Sequence, residues 1–147
     1  MTIHRLILPA ISLFAAICLA GCSKTPDEQL IRNAIDEIET AVQPRQTQPV
    51  LKHLAEGFRG PQDMNVRQVR QLMAAHYFRN RNINVVLAGM RIQINGIDAS
   101  VNFNAVVTGG AGTLPDQLQY YDVETVWRKM DDDWRIIRAD WSPAGPG

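Results

Sequence analysis

Residues 118–141 read LQYYDVETVWRKMDDDWRIIRADW and contain the strongest secondary-structure pattern of the chain. Two runs rich in aromatic and β-branched residues flank a polar segment, which is the pattern of two antiparallel strands joined by a tight turn. In the second run, alternation assigns Trp134 and Ile136 to one face and Ala139 and Trp141 to the other. All three tryptophans lie in this hairpin. We therefore expect the earlier elements to pack onto it, because large rings bury the most apolar area.

The stretch before this hairpin also has the period of strands. Apolar residues recur at every second position from Ile83, with a change of phase at Ala88-Gly89. The change predicts a β-bulge that bends the strand and keeps both apolar sets on one face. Asn95-Gly96 is typical of a two-residue type I′ turn, and the returning strand alternates over 99–107. Residues 108–116 predict a Gly-rich loop.

Three helices are predicted before the strands. Residues 25–28 read TPDE, the composition of a capping box, and apolar spacing predicts a helix over 26–42. A short helix is predicted over 49–57, followed by a turn at 58–61. Asn65 can cap a third helix that ends between residues 79 and 82. The predicted buried side of this third helix contains Val66, Val69, Leu72, Met73 and Tyr77, with His76 or Phe78 at its edge.

Helices followed by a curved antiparallel sheet of at least four strands make an α+β domain, with the helices on one sheet face. The 147 residues fit one domain with one core once the N-terminus is set aside. Lys plus Arg equal Asp plus Glu, so no overall charge attracts nucleic acid. Residues 142–147 predict a flexible Pro/Gly tail.

The N-terminus has the organisation of a targeting segment. Residues 6–17 form an apolar run that is too short for a stable membrane span but suits a signal peptide. Leu19-Ala20-Gly21-Cys22 resembles the lipobox of bacterial lipoproteins. The resemblance implies that residues 1–21 are a removed signal peptide, that Cys22 carries acyl chains, and that residues 22–24 tether a domain at 25–141. The alternative is an ordinary signal peptide with an unrelated cysteine.

Lipidation at Cys22 has consequences for compartment and partners. Cys18 would leave with the signal peptide, so the mature chain would have no pair of thiols for a disulfide. Ser23 after the cysteine implies, by lipoprotein sorting rules, the outer membrane facing the periplasm. Only Ser23 and Lys24 separate Cys22 from Thr25, and the three residue steps between Cys22 and Thr25 reach about 10 Å. We therefore expect the ligand or partner to lie at the membrane too. The chain is expected to be a monomer or homodimer.

The order of elements, with Trp127-Arg128 before the last turn and Trp134-Arg135-Ile136 after it, resembles the nuclear transport factor 2-like superfamily over roughly 27–141. The resemblance implies a cone-shaped, cystatin-like sheet with a pocket between its concave face and the helices. Members include ketosteroid isomerases, polyketide cyclases, dehydratases and non-catalytic binding or dimerisation modules. The usual turn glycine is replaced by Asp132 or Asp133, and Asp tolerates left-handed backbone.

An enzyme of this fold would place a carboxylate base opposite a phenol or acid donor, because enolate chemistry needs a proton acceptor and an oxyanion stabiliser. The candidate catalytic groups are Asp140, Asp122, Tyr121, Tyr120, Tyr77 and His76. The other interpretation of Asp140 is a strand-end charge paired with Arg138 or Arg128, and none of these groups matches a catalytic motif. The predicted lining of the pocket is Tyr77, Met90, Phe103, Tyr120 and Trp141.

No cofactor or metal site is predicted. His53 and His76 lie on different predicted helices, and no free Cys remains to join them. The Gly-rich segment 108–113 lacks the spacing of a phosphate loop. Basic residues cluster around the third helix and form either a stripe for anionic headgroups or a solvated helix face. These residues are Arg59, Arg67, Arg70, Arg79 and Arg81.

The leading hypothesis is a non-enzymatic cell-envelope lipoprotein whose domain binds a hydrophobic small molecule or a membrane-associated partner protein. One alternative is an isomerase or dehydratase-like enzyme that uses a pocket carboxylate and a tyrosine. The other is a dimerisation or assembly module acting through the outer sheet face.

Overall fold

A computed structural model describes residues 25–112 and 116–145. The predicted signal peptide, the lipobox and Cys22 lie outside these residues. The elements are α1 (Asp27–Val42), α2 (Gln48–Leu51), β1 (Leu54–Arg59), a 3₁₀ turn (Pro61–Asp63), α3 (Val66–Arg79), β2 (Asn82–Asn95), β3 (Asp98–Gly110), β4 (Gln117–Met130) and β5 (Asp133–Ala144). None of the helices in the described ranges is long and apolar enough to cross a membrane.

Five strands form one sheet in the order β1-β5-β4-β3-β2. The three hairpin pairings from β2 to β5 are antiparallel, and β1 runs parallel to β5 at the other edge. The helices precede β2 to β5 and pack against the sheet. The predicted α+β class and its helix-covered, bent sheet are confirmed.

The predicted bulge in β2 is confirmed. Ala88 pairs with Asn104 and Arg91 pairs with Asn102, so two residues of β2 oppose one of β3. Gly89 takes a φ of 65° there. Met90 packs against the same core as the residues before the bulge, because the extra residue restores the inward phase. The bulge therefore bends β2 and keeps Met90 and Ile92 partly buried, whereas Ile94, at the end of the strand, is exposed.

A second bulge, in β5, overturns the alternation predicted for the last strand. Val126 pairs with Arg138 but Trp127 pairs with Ile136, so Ile137 is an extra residue. The phase changes at Ile137, and Trp134, Ile136 and Ala139 all reach the core. Assigning Trp134 and Ala139 to opposite faces was wrong, because a simple period of two allows no insertion.

The turns also differ in detail from the prediction. Asn95 pairs with Asp98, so the loop between β2 and β3 is Gly96-Ile97 and not Asn95-Gly96. Only Gly96 of the two has positive φ, at 62°, which is the pattern of a type II′ turn. In the last hairpin the left-handed residue is Asp131, with φ 57°, and not Asp132 or Asp133.

The segment 54–59 was predicted as part of a helix and a turn, and this prediction was wrong. It forms strand β1, in which Leu54 pairs with Ile136 and Arg59 pairs with Arg138. Four residues of β1 thus lie opposite a single residue of β5, and this irregularity removes the alternation that identifies a strand. Phe58 nonetheless lies in the centre of the core.

Strand lengths exceed the prediction at two further places. Strand β3 continues to Gly110, so residues 108–110 are strand and not loop. Strand β5 continues to Ala144, so the tail predicted to start at residue 142 is paired for its first three residues. Backbone pairing with a neighbour, and not the local composition, fixes these ends.

The first helix begins differently from the prediction, although its bounds agree with it. Pro26 is the N-cap of α1 and no side chain caps the helix, so the capping box predicted from Thr25 is wrong. Asp27 instead binds across the molecule. Its Oδ1 accepts hydrogen bonds from Lys129 Nζ at 2.5 Å and from the indole of Trp134 at 3.1 Å. This contact joins the start of the domain to its last hairpin.

The third helix has the predicted cap but a shallower packing. The Asn65 side chain accepts a hydrogen bond from Gln68 N at 3.1 Å, and the Gln68 side chain accepts one from Asn65 N at 2.9 Å. No residue of α3 is fully buried, and Phe78 is 90% exposed. The apolar stripe predicted for this helix is therefore only half covered, which leaves space beneath it.

The core lies between α1, β1 and the concave sheet face. Trp127 is 1% exposed, and its indole Nε1 donates to Thr125 Oγ1 at 2.8 Å. The Thr125 hydroxyl in turn donates to the carbonyl of Val101 at 3.2 Å. A short chain of buried hydrogen bonds thus fixes the largest core ring.

Candidate functional site

A cavity of about 530 Å³ lies between α3 and the concave face of β2, β3 and β4. It exists because the bulged β2 curves away while α3 packs only along one edge. Most of its lining is apolar and comes from strand residues of one alternating set. The lining residues are Val42, Leu72, Met73, His76, Tyr77, Arg79, Asn80, Ile83, Val85, Ala105, Val107, Gly109, Gln117, Gln119, Tyr121, Val123 and Trp141.

A second cavity of about 250 Å³ adjoins the first, deeper under α1. Phe103, Thr125 and Trp127 are among its lining residues. Both cavities share a set of four lining residues, so they are two lobes of one interior space. The shared residues are Val42, Val85, Ala105 and Trp141.

The polar groups of the larger cavity gather around the C-terminal end of α3 and the start of β4. The Tyr121 hydroxyl donates to Gln119 Oε1 at 2.6 Å. Asn80 is buried, and its Nδ2 donates to the carbonyl of His76 at 3.0 Å. A Cβ at Gly109 would lie 2.9 Å from Asn80 Oδ1, so only glycine allows Asn80 to sit against β3.

Tyr77 carries the one polar side-chain atom of the described residues that is buried without a hydrogen-bond partner. Its ring lines the larger cavity, and burial raises the pKa of its phenol. The group therefore stays neutral at physiological pH and keeps its proton as a donor. A buried hydroxyl without a partner costs free energy, which a ligand oxygen would recover once the side chains that cover the hydroxyl move to admit it.

Three of the five predicted pocket residues line one of these two cavities. Tyr77 and Trp141 line the larger cavity, and Phe103 lines the smaller one. Met90 lines neither, and its sulfur lies 3.5 Å from Arg32 Nη1 on α1. Tyr120 lines neither, because its position in β4 has the opposite parity to Tyr121 and faces the outer side of the sheet.

The candidate catalytic groups lie on opposite sides of the sheet. His76, Tyr77 and Tyr121 line the larger cavity, whereas Asp122 and Asp140 line a shallow groove on the outer face. Asn104 Nδ2 donates to Asp122 at 2.5 Å. Arg138 Nε lies 3.0 Å from Asp140, which is one of the two partners considered for that carboxylate. No carboxylate–tyrosine pair is assembled by these residues.

Three of the polar lining residues were missed in the sequence. Gln117 and Gln119 share the parity of Tyr121 in β4, and extending the alternation by four residues would have found them. No local sequence pattern identifies Asn80 as a lining residue, because its position depends on the close approach to Gly109. The non-local contact between α3 and β3 creates this part of the site.

A separate charged cluster joins α1 to the segment before β1. Glu37 accepts hydrogen bonds from Lys52 Nζ and from His53 Nε2, the latter at 3.0 Å. The hydrogen bond from Lys52, and to a smaller extent that from His53, holds the pKa of Glu37 below its ordinary value. The cluster is a structural clamp between α1 and the residues before β1. The described residues contain no group of three or more His, Cys, Asp or Glu side chains suited to a metal.

No protein-family model and no curated protein matches the chain. Solved structures do match. A candidate scytalone dehydratase from Novosphingobium aromaticivorans is 11% identical with a TM-score of 0.72, over 80% of this chain and 84% of that one. A nuclear transport factor 2-like protein from Cytophaga hutchinsonii is 17% identical with a TM-score of 0.65, over 81% and 99%.

A Bdellovibrio bacteriovorus protein is 17% identical with a TM-score of 0.69 over 79% of this chain, which spans 41% of that protein's length. The matched structures carry the fold names nuclear transport factor 2-like and cystatin-like. At such low identities the likeness establishes the fold alone. The predicted nuclear transport factor 2-like cone is confirmed.

Proposed function

We propose that this chain is a lipid-anchored protein of the bacterial cell envelope whose domain binds a hydrophobic small molecule without transforming it. The observation that carries the proposal is the cavity under α3, which is walled by apolar side chains and open to the surface. Its volume of about 530 Å³ lies within the range of about 300 to 1,000 Å³ that small-molecule sites occupy.

The polar groups of the cavity are suited to orienting a ligand. Tyr77 offers a hydroxyl without a partner, and His76 and Arg79 lie at the rim. The lining therefore accommodates an apolar body with one oxygen-bearing end directed at Tyr77. Such a division between an apolar body and a few placed polar groups is what gives a binding site its specificity.

The lack of an acidic group in the larger cavity supports binding over catalysis. Among the described residues that line this cavity there is no Asp or Glu, and the two candidate bases Asp122 and Asp140 face the outer side. Glu39 lines the smaller lobe, where its Oε1 accepts a hydrogen bond from the backbone N–H of Leu87 at 3.2 Å. Enolate chemistry in this fold would need a proton acceptor within hydrogen-bond reach of the ligand. A tyrosine hydroxyl with a raised pKa is a poor base at neutral pH.

The location rests on the sequence. The Leu19-Ala20-Gly21-Cys22 motif and the apolar run before it support an acyl anchor at Cys22. The anchor fits a ligand that partitions into lipid, because such a molecule is most concentrated at a bilayer. A membrane-associated partner protein is the other class of ligand that this location would supply.

The test fills the cavity and measures binding of 1-dodecanol, a neutral probe with an apolar chain and one hydroxyl. Trp141 lines both lobes, so a bound chain should change tryptophan emission in a saturable way. Val107→Phe projects a ring into the larger cavity and should abolish the change. Val106→Phe, one residue away on the opposite face of β3, is the matched control and should leave it intact.

Two results would contradict the proposal. Saturable binding that survives Val107→Phe would place the probe elsewhere on the protein. Absence of any saturable change with the wild-type chain, for the alcohol and for a panel of apolar probes of similar volume, would show that the space is not a binding site. Each variant needs an unfolding curve, because a lost fold would also lose binding.

A further inference from the structure

The segment between Asp63 and Asp98 contains no acidic residue. It comprises α3 and β2, and its arginines are Arg67, Arg70, Arg79, Arg81 and Arg91. The chain as a whole has equal numbers of acidic and basic residues, so the remainder carries the compensating excess of acids. Charge is therefore separated within the domain, with the positive part concentrated on one helix and its neighbouring strand.

Among the described residues, the arginines of this segment have no ion-pair partner, whereas most of the other lysines and arginines have one. Within residues 25–112 and 116–145, Arg67, Arg70 and Arg79 make no salt bridge. Six of the eight other described lysines and arginines do, and these are Arg32, Lys52, Arg128, Lys129, Arg135 and Arg138. The arginines on α3 thus keep their full charge available to an external anion.

The outward face of α3 combines these charges with an exposed ring. Arg67, Ala74 and Phe78 are spaced by seven and four residues and share the side of the helix that faces away from the core. Arg70 and Arg79 flank this line on either side, by the same helical geometry. Phe78 is 90% exposed, an unusual position for a phenylalanine on a folded domain.

We propose that the outward face of α3 docks on an anionic phospholipid bilayer, with Phe78 below the level of the phosphates and the arginines at that level. A helix with an apolar line and basic flanks lies in the plane of the interface in this way. Positive charge matches the negative surface, and burial in lipid removes the cost of exposing the ring. The inference rests on the charge and shape of α3 alone and does not require a ligand in the cavity.

Docking through α3 would also place the cavity rim at the headgroups. His76 and Arg79 belong both to α3 and to the cavity lining, so the same helix forms the contact surface and the entrance. A molecule leaving the bilayer would then have to pass only the width of this helix to reach the cavity. This consequence applies to any apolar ligand that the cavity accepts.

The experiment uses residues 25–147, free of lipid, and measures cosedimentation with vesicles. All members of the core, from Leu30 to Trp141, lie in this portion, and circular dichroism checks the fold of each variant. We expect binding to vesicles of phosphatidylcholine with about one third phosphatidylglycerol, and much weaker binding to phosphatidylcholine alone. Raising the salt concentration should weaken the binding, since screening shortens the reach of the charges.

Substitutions on α3 should lower the partition coefficient in a predictable way. Replacing Arg67, Arg70 and Arg79 by Gln should reduce it about fivefold per arginine. Phe78→Ser should reduce it about tenfold or more, because the ring no longer enters the interface. The matched controls are Arg138→Gln and Ile97→Ser, which remove an exposed charge and an exposed apolar side chain away from α3.

Three outcomes would overturn the proposal. The first is no preference of the wild-type portion for anionic vesicles. The second is equal loss of binding in the controls and in the α3 variants, which would indicate non-specific charge attraction. The third is a dimer in light scattering that Phe78→Ser converts to a monomer, because the ring would then cover a second copy and not lipid.

Discussion

The buried hydrogen bonds between Trp127, Thr125 and Val101 can be tested by a double-mutant cycle. The Trp127 indole donates to the Thr125 hydroxyl at 2.8 Å, and all three residues are almost fully excluded from water. Thr125→Val keeps the shape of the side chain but removes the acceptor. The indole N–H is then a buried donor without a partner, and the Val101 carbonyl loses the hydroxyl that donates to it.

The magnitudes follow from this geometry. A buried donor left unpaired costs about 1 to 3 kcal/mol, whereas a typical hydrogen bond contributes about 1 kcal/mol net. Thr125→Val alone should therefore destabilise the fold by about 2 to 3 kcal/mol. In a Trp127→Phe background no indole N–H is left without an acceptor, and Thr125→Val should cost only about 1 kcal/mol. The coupling free energy of the two sites should thus be about 1 to 2 kcal/mol.

Urea unfolding followed by circular dichroism gives the four free energies of unfolding that the cycle needs. Equal denaturant slopes in all four proteins show that the comparison is between the same two states. A coupling free energy below about 0.5 kcal/mol would refute the reasoning, because Thr125 would then stabilise the fold independently of the indole. A shift of the melting temperature by roughly 4 °C per kcal/mol offers a second check.

Three further predictions concern the bulge, the acidic clamp and the cavity. Gly89→Ala should cost about 1 to 2 kcal/mol in urea unfolding, because the residue has positive φ, whereas Gly57→Ala, with open space at its Cβ, should cost clearly less. Glu37 has a depressed pKa in the fold, so its contribution is present above the ordinary carboxyl pKa and is lost as the pH falls below it. Glu37→Gln should accordingly flatten the acid side of a plot of urea midpoint against pH, and an unchanged slope would count against the clamp. Tyr77→Phe should leave stability unchanged or raise it by up to about 1 kcal/mol while weakening dodecanol binding; a clear loss of stability would reveal a hidden partner for the hydroxyl.

Most of the fold could be predicted from the sequence, because its strongest patterns are local. The apolar period over 26–42, the capping residues of α3 and the phase change at Ala88-Gly89 each identify an element without knowledge of its neighbours. Strand β1 could not be found in this way, since its irregular pairing with β5 leaves no alternation to detect. The bulge at Ile137 escaped for a related reason, because an inserted apolar residue does not interrupt an apolar run.

The site was less predictable than the fold. Tyr77 and Trp141 were predicted to line a pocket, and both line the larger cavity. Parity alone would have separated Tyr120 from Tyr121 and placed Asp122 outside. The position of Asp140 depended on the β5 bulge, which shifts the face of every later residue in that strand. A wrong strand register therefore assigns side chains to the wrong face of the sheet and predicts the wrong groups for the site.

The contacts between the two ends of the chain determine when the domain can finish folding. Leu54 pairs with Ile136, and Asp27 binds Lys129 and Trp134. Strand β1 therefore acquires its neighbouring strand, and the start of α1 its polar contacts, only when the last hairpin is available. Pairings between residues so distant in sequence form slowly, because a long loop must close first. A chain synthesised from its N-terminus would therefore stay incompletely folded until β5 is available. Deleting a few residues of β5 would then destabilise α1 and β1 as well as the last hairpin.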